Sequence, residues 1–214
     1  MTSDVEFHPS GSRSDGAAPT EGERLPAAAR REQLLAVGRQ VFAENGFHDT
    51  AMTDMAKAAG VTKPVLYQHF DSKRDLYGAI LRDVGDTLTE AVFAAAMSAE
   101  SPREQVSSGV GAAVDFVAKN PYGFQVLLAA GSSSDPEFVS IAQGWRNSMA
   151  DQIAALIVVE GMSRSHQEAL AYGVVGMVES MMSRWLSSPE PELDADQLAA
   201  DLTALAWSGL RGLS

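Results

Sequence analysis

The chain has 214 residues, 45% of them hydrophobic, with no cysteine and a formal net charge of −12. That length buries a full core as one large domain or two small ones, and the missing cysteine excludes disulfides and thiolate-held metals. The longest strictly apolar run, Ile153–Val159, is far too short to span a bilayer, and the N-terminus lacks a basic start followed by an apolar stretch. A cytoplasmic protein is expected, with no signal peptide, membrane association, metal or cofactor.

Residues 1–25 are rich in Ser, Gly, Pro and charge and lack apolar periodicity, which predicts a disordered tail, with Arg13 and Arg24 in a passive leader. A first helix is expected over Arg30–Asn45, with Leu34, Val37, Val41 and Phe42 on one stripe. Gly46 stops it, and Phe47 gives the stop an apolar contact. A second helix is expected from Met52 to Ala59, with Ala56 small enough to admit a neighbour. Gly60 follows at a position that needs positive φ, Val61 plugs the turn, and Thr62 is read as an N-cap with Pro64 in the first turn. The next helix, Lys63–Phe70, is roughly 12 Å long, the width of a DNA major groove. Leu66 and Phe70 anchor it, leaving Lys63, Pro64, Tyr67 and Gln68 on the other side. Asp71-Ser72-Lys73 opens a further helix, whose free N–H groups would form an anion site with Lys73 beside it.

This Gly-Val-Thr turn, Lys63-Pro-Val-Leu-Tyr-Gln-His-Phe70 segment and Ser-Lys opening resemble the helix-turn-helix head of the TetR family of bacterial transcriptional regulators, over about Ala28–Leu88. The resemblance implies a 28–88 DNA-binding domain, with the motif at about 51–70, and an 89–214 ligand-binding and dimerisation domain. DNA contacts are then expected from Thr62, Lys63, Pro64, Tyr67, Gln68, His69 and Lys73. Ala51 stands where the family usually has a capping Ser or Thr, so Thr50 or Thr53 is expected to serve the second helix or a phosphate. Charge is distributed to suit this reading. Residues 28–88 carry 8 Lys/Arg and 8 Asp/Glu, half of all the chain's basic side chains, while the acidic remainder repels DNA and suppresses non-specific binding. Lys63, Lys73, Arg30 and Arg31 are the candidates for a local basic face.

The rest reads as all-α. A long helix is expected over Ser72–Met97. Ser101-Pro-Arg-Glu104 is a capping box that opens a helix to Lys119, and Asn120-Pro121 restarts a short one through Ala130. Asp135-Pro136-Glu137 opens a helix to about Glu160. Ser165-His-Gln-Glu168 is read as a second capping box, leading a helix to Leu186. A Pro-rich loop over Ser187–Leu193 precedes a last helix, Asp194–Leu213. No segment alternates as a strand, and the expected total is about nine helices.

The final two helices carry apolar and small residues at helical spacing: Leu198, Leu202, Leu205 and Leu210 in one, Gly173 and Gly176 in the other. The resemblance implies a homodimer built there, against the alternative of packing within one chain. The dimer would read a pseudo-palindromic operator in double-stranded DNA. Phe93, Met97, Phe116, Tyr122, Phe124, Trp145, Met149, Met177 and Met181 are candidates to line an effector pocket, since methionine adapts to irregular shapes. Taken singly, each is better explained as core. Arg24-Leu25-Pro26, Gly173-Val-Val-Gly-Met177 and Ala206-Trp207-Ser-Gly209 further resemble an actinobacterial subgroup of lipid-metabolism regulators. The reading is a ligand-responsive regulator, repressing in mode, whose small apolar effector is a long-chain acyl compound. The alternatives are an efflux-type repressor answering to a cationic or aromatic drug, with Glu179 as counter-ion, and a helical ligand-binding protein without DNA function. No catalytic residue is assigned: there is no phosphate loop or metal-spaced His pair, and His8, His48, His69 and His166 are scattered.

Overall fold

The computed structural model describes residues 25–188 and 193–212. The expected tail before Leu25, most of the Pro-rich loop and Leu213 lie outside the described residues. Among the described residues there are nine helices and no strand: α1 Ala27–Asn45, α2 Met52–Ala58, α3 Lys63–Tyr67, α4 Lys73–Met97, α5 Pro102–Lys119, α6 Pro121–Gly131, α7 Pro136–Leu156, α8 Arg164–Leu186 and α9 Ala195–Arg211.

Capping chemistry sets most of these starts. The Ser72 hydroxyl accepts from the Asp75 N–H at 3.0 Å, Ser101 from Glu104 at 3.3 Å, and the Asp194 carboxylate from Gln197 at 2.8 Å. Three expectations are corrected. Thr62 stands at the N-cap of α3 with extended backbone, but its hydroxyl makes no cap hydrogen bond. The cap of α8 is Ser163, which accepts from His166 at 3.3 Å, and Ser165 falls inside the helix. Helix α7 stops at Leu156 rather than near Glu160. The β-branched run Ile157-Val158-Val159 follows, and Gly161 turns the chain at φ 76°.

Two cores share the long α4. The first joins α1–α3 to the front half of α4 and to parts of α6 and α7, with Leu66, Phe70, Leu76, Ile80 and Leu81 essentially inaccessible. Helix α1 crosses α4 closely: a Cβ at Gly38 would lie 2.7 Å from Ile80 Cδ1. The second core lies among α4, α5, α7, α8 and α9. Within the first core sits a ring cluster of Phe42, Phe47, Tyr77 and Phe138. Tyr77 contacts Phe42, Phe47 and Phe138 at centroid distances of 4.9, 5.0 and 4.6 Å. Helix α4 runs as a single helix through both cores.

Candidate DNA interface and effector cavity

The turn between α2 and α3 is made by Gly60 at φ 65°, with the Val61 N–H closing on Ala56 O at 2.9 Å. Leu66 is fully buried, which rolls Thr62, Lys63, Pro64, Tyr67 and Gln68 to the exposed side, with Thr53 of α2 also exposed and His69 half-buried. Apart from Pro64, these side chains carry hydrogen-bonding groups. Arg31 stacks over Phe70 at 5.0 Å, and Arg30 donates to Gln33 Oε1 at 2.6 Å, so both guanidiniums are held near the head.

Two residues expected at the DNA surface are placed otherwise. Thr50 is 3% exposed, and its hydroxyl donates to Gly46 O at 2.7 Å. The exposed N–H of Ala51 is served by the Asp54 carboxylate at 3.1 Å. Lys73 turns inward: its ammonium donates to the carbonyls of Phe47, Thr50 and His48 at 2.7, 2.8 and 3.2 Å and lies 4.5 Å from the centre of the Phe47 ring. An ammonium has three N–H groups, and all three are engaged here. At the α4 N-terminus the Ser72 hydroxyl accepts from the Asp75 N–H, and the Asp75 carboxylate accepts from the Asp71 N–H at 3.0 Å. Neighbouring Arg74 ties α4 to the start of α7, donating to Asp135 at 2.6 and 2.7 Å and to Glu137 at 2.6 Å.

A cavity of about 400 Å³ lies among α4, α5, α7, α8 and α9, and its polar side chains are few: Gln105, Gln152 and Glu179, with the indoles of Trp145 and Trp207. Phe93, Trp145 and Met149 line it as expected residues, and Leu210, expected at a dimer seam, lines it too. Others fall elsewhere. Phe124 is wholly buried core, and Phe116 packs between the two cores. Tyr122 is exposed, and Met97 borders an outer groove instead. Met177 and Met181 flank the second core, while Val178 and Met182, one residue on, face the cavity. A one-residue step turns a helix by about 100°, so helical periodicity identified the right helix but the adjacent face.

The Glu179 carboxylate is already paired. Arg146 reaches it with two parallel bonds of 2.8 and 2.5 Å, and its guanidinium sits so close to Gly131 that a Cβ there would lie 2.8 Å away. The hydrogen bond to Glu179 raises the pKa of Arg146 more than burial lowers it, so the guanidinium stays charged. A cation entering the cavity therefore meets a neutralised carboxylate.

On the outer surface, Leu198 and Leu202 are 2% and 0% exposed, absorbed by this chain's own core. Leu205 is 55% exposed, and Gly173 and Gly176 have open space where a Cβ would stand. These three remain of the expected dimer face. Among the described residues no helix is long and apolar enough to cross a membrane, and no group of three or more His, Asp or Glu could hold a metal ion.

Residues 34–80 match the family described as bacterial regulatory proteins of the tetR family, and residues 102–209 match the tetracyclin repressor-like C-terminal domain. The HTH-type transcriptional activator FasR of Mycolicibacterium smegmatis is 31% identical over 190 residues, covering 88% of this chain and 86% of FasR. A TetR-like transcriptional regulator from Rhodococcus sp. RHA1 superposes with a TM-score of 0.73 at 32% identity, covering 88% of this chain and all of that one. The transcriptional regulator FadR of Bacillus subtilis, solved in complex with stearoyl-CoA, shares the fold at a TM-score of 0.70 and 17% identity, covering 83% of this chain and 98% of that one. With its helix-turn-helix head and all-helical body, this chain belongs to the TetR family of bacterial transcriptional regulators.

Proposed function

We propose that this regulator is a homodimer that reads a pseudo-palindromic operator and changes its grip on that operator when a long-chain acyl compound fills the body. The observation that carries the reading is the cavity: deep, lined almost wholly by apolar side chains, and with its carboxylate already held by Arg146. Such a wall stabilises a hydrocarbon chain by about 0.8 kcal/mol per buried methylene and offers a drug cation no free counter-charge. The stearoyl-CoA bound to B. subtilis FadR adds support from a shared fold.

The DNA face comprises Thr53, Thr62, Lys63, Pro64, Tyr67, Gln68 and His69, within a reading domain at about 28–88. Residues 89–214 form the effector and dimer body. The dimer face lies on the open sides of α8 and α9, at Gly173, Gly176 and Leu205, where small residues allow close helix approach. FasR is named as an activator, whereas the sequence suggests repression. The same bound dimer blocks polymerase from a site overlapping the promoter and recruits it from a site upstream, so operator position decides the sign.

The test is selection of bound fragments from the source genome, followed by challenge of the complexes with fatty acids, acyl-CoAs and cationic drugs. The expected result is a palindrome with half-sites about one helical turn apart, released or tightened by acyl compounds. Indifference to every acyl compound, with release by a compact cationic drug, would replace this reading with the efflux-type one.

A further inference from the structure

The helices around the cavity share one axis, and the cavity has two unlike ends along it. Helices α4 and α7 both start at the reading head, where Arg74 bonds to Asp135 and Glu137, and run away from it, while α5 and α8 run back. The lining residue nearest the head is Leu88 on α4, Ala113 on α5, Trp145 on α7 and Met182 on α8. Leu88, Ala113 and Met182 are 2%, 6% and 3% exposed. The Trp145 ring lies so near α4 that a Cβ at Gly85 would be 2.9 Å from its Cδ1. At the far end the lining comes from the opposite helix ends and from the α7–α8 connection: Pro102, Leu156, Ile157, Val158 and Met162. Pro102 is exposed, and Val158 is 88% exposed although it lines the cavity. The chamber is therefore floored by buried apolar side chains on the side of the reading head and open at the opposite pole. Glu179 on its wall is held by Arg146, so the closed part offers no free ionic partner. The lining spans eleven residues of α7, Trp145 to Leu156, and twelve of α8, Leu170 to Met182, which is roughly 16–18 Å of helix.

Resting on the acyl reading above, we infer that the ligand enters at the pole farthest from the reading head, methyl end first, and that Met182, together with Leu88 and Ala113, is the stop that sets how much of the chain is buried. The head group stays in water at the mouth beside Pro102 and Val158. The reverse orientation would press an ionised carboxylate against buried apolar side chains, at a large desolvation cost. An extended carbon chain advances about 1.2 Å per bond, as the three backbone bonds of an extended residue do, so the chamber takes about fourteen carbons counted from the methyl end. What the carboxyl carries, free acid or thioester, lies outside that count.

The experiment is calorimetric titration of the full chain with saturated fatty acids from octanoate to eicosanoate, with their CoA thioesters, and with hexadecanedioate. Affinity should rise roughly fourfold per methylene and reach a plateau at about fourteen carbons, at the same length for acids and thioesters. Hexadecanedioate carries a second carboxylate in place of the methyl and should bind at least roughly 100-fold more weakly than palmitate. Met182→Ala removes three atoms from the floor and should move the plateau to chains longer by about two methylenes. Val158→Asp sets a negative charge at the mouth and should weaken every acid by a common factor without moving the plateau. Hexadecanedioate binding as tightly as palmitate, plateaus that differ between acids and thioesters, or a plateau that moves with Val158→Asp but not with Met182→Ala would each overturn methyl-first entry while leaving the acyl reading intact. Failure of the unsubstituted protein to bind any acyl compound would overturn both. Should Met182→Ala not fold, Ala113→Leu raises the floor from α5 and should bring the plateau to shorter chains; an unchanged plateau there counts against the inference.

Discussion

Lys73→Met separates two roles for one lysine, a phosphate contact and a staple inside the head. The substitution keeps the apolar stem over Phe47 and deletes the ammonium that donates to Phe47 O, Thr50 O and His48 O. Hydrogen bonds to a charged group contribute about 1.5–3 kcal/mol each, but three on one ammonium are not additive. His48 is exposed, so its carbonyl rehydrates when the ammonium goes. The cation–π contact adds about 0.5–1 kcal/mol. A net loss of about 2–3 kcal/mol is therefore expected, a fall of roughly 4–12 °C in the melting temperature of a chain this size. Operator affinity should fall because the loop before α2 loosens, and the dependence of log affinity on log salt should stay as steep as in the unsubstituted protein. Thermal melts and band shifts at several salt concentrations measure both. An unchanged melting temperature with a salt slope reduced by about 1 would make Lys73 a phosphate contact and refute the staple.

The exposed reading face makes a complementary prediction: Lys63→Ala and Tyr67→Ala should each weaken operator binding by about 1–3 kcal/mol, with melting temperature and oligomeric state unchanged. At the proposed dimer face, Leu205→Glu should give a folded monomer in sedimentation with operator affinity lost, whereas Leu202→Glu, which places a charge in a wholly buried site, should unfold the chain. A folded dimer for Leu205→Glu would move the interface elsewhere. Burial pushes the Tyr77 phenol from its ordinary 10.0 up to about 12. Its folded pKa is raised, so its contribution to stability is complete below 10 and is lost as pH rises from about 10 through about 12. An absorbance titration should show a late phenol that Tyr77→Phe removes.

The head was legible in the sequence because its signals are local. Gly60 needs positive φ, Leu66 and Phe70 are one turn apart, and Ser72, Ser101, Asp135 and Asp194 are capping residues whose partners lie within one turn. What escaped depends on partners distant in sequence. Lys73 looks like any basic residue at a helix start until the 47–50 loop folds over it. In the body, the apolar spacing of α8 and α9 was plain, but periodicity does not say which neighbour an apolar face meets. Leu198 and Leu202 met this chain's own α5 side of the core, and Met182 rather than Met181 met the cavity. The Trp145–Gly85 contact joins residues 60 apart, and neither carries a local signal for the other.

An alkyl chain in the body cavity should alter operator affinity. Its most direct test is fluorescence anisotropy of a labelled operator–protein complex titrated with saturated acyl compounds of increasing length. Potency should rise roughly fourfold with each added methylene and then level off once the chamber is full. Val178→Trp, which fills the chamber from α8, should abolish the response while the complex still forms. A response independent of chain length, or one that survives Val178→Trp undiminished, would contradict it.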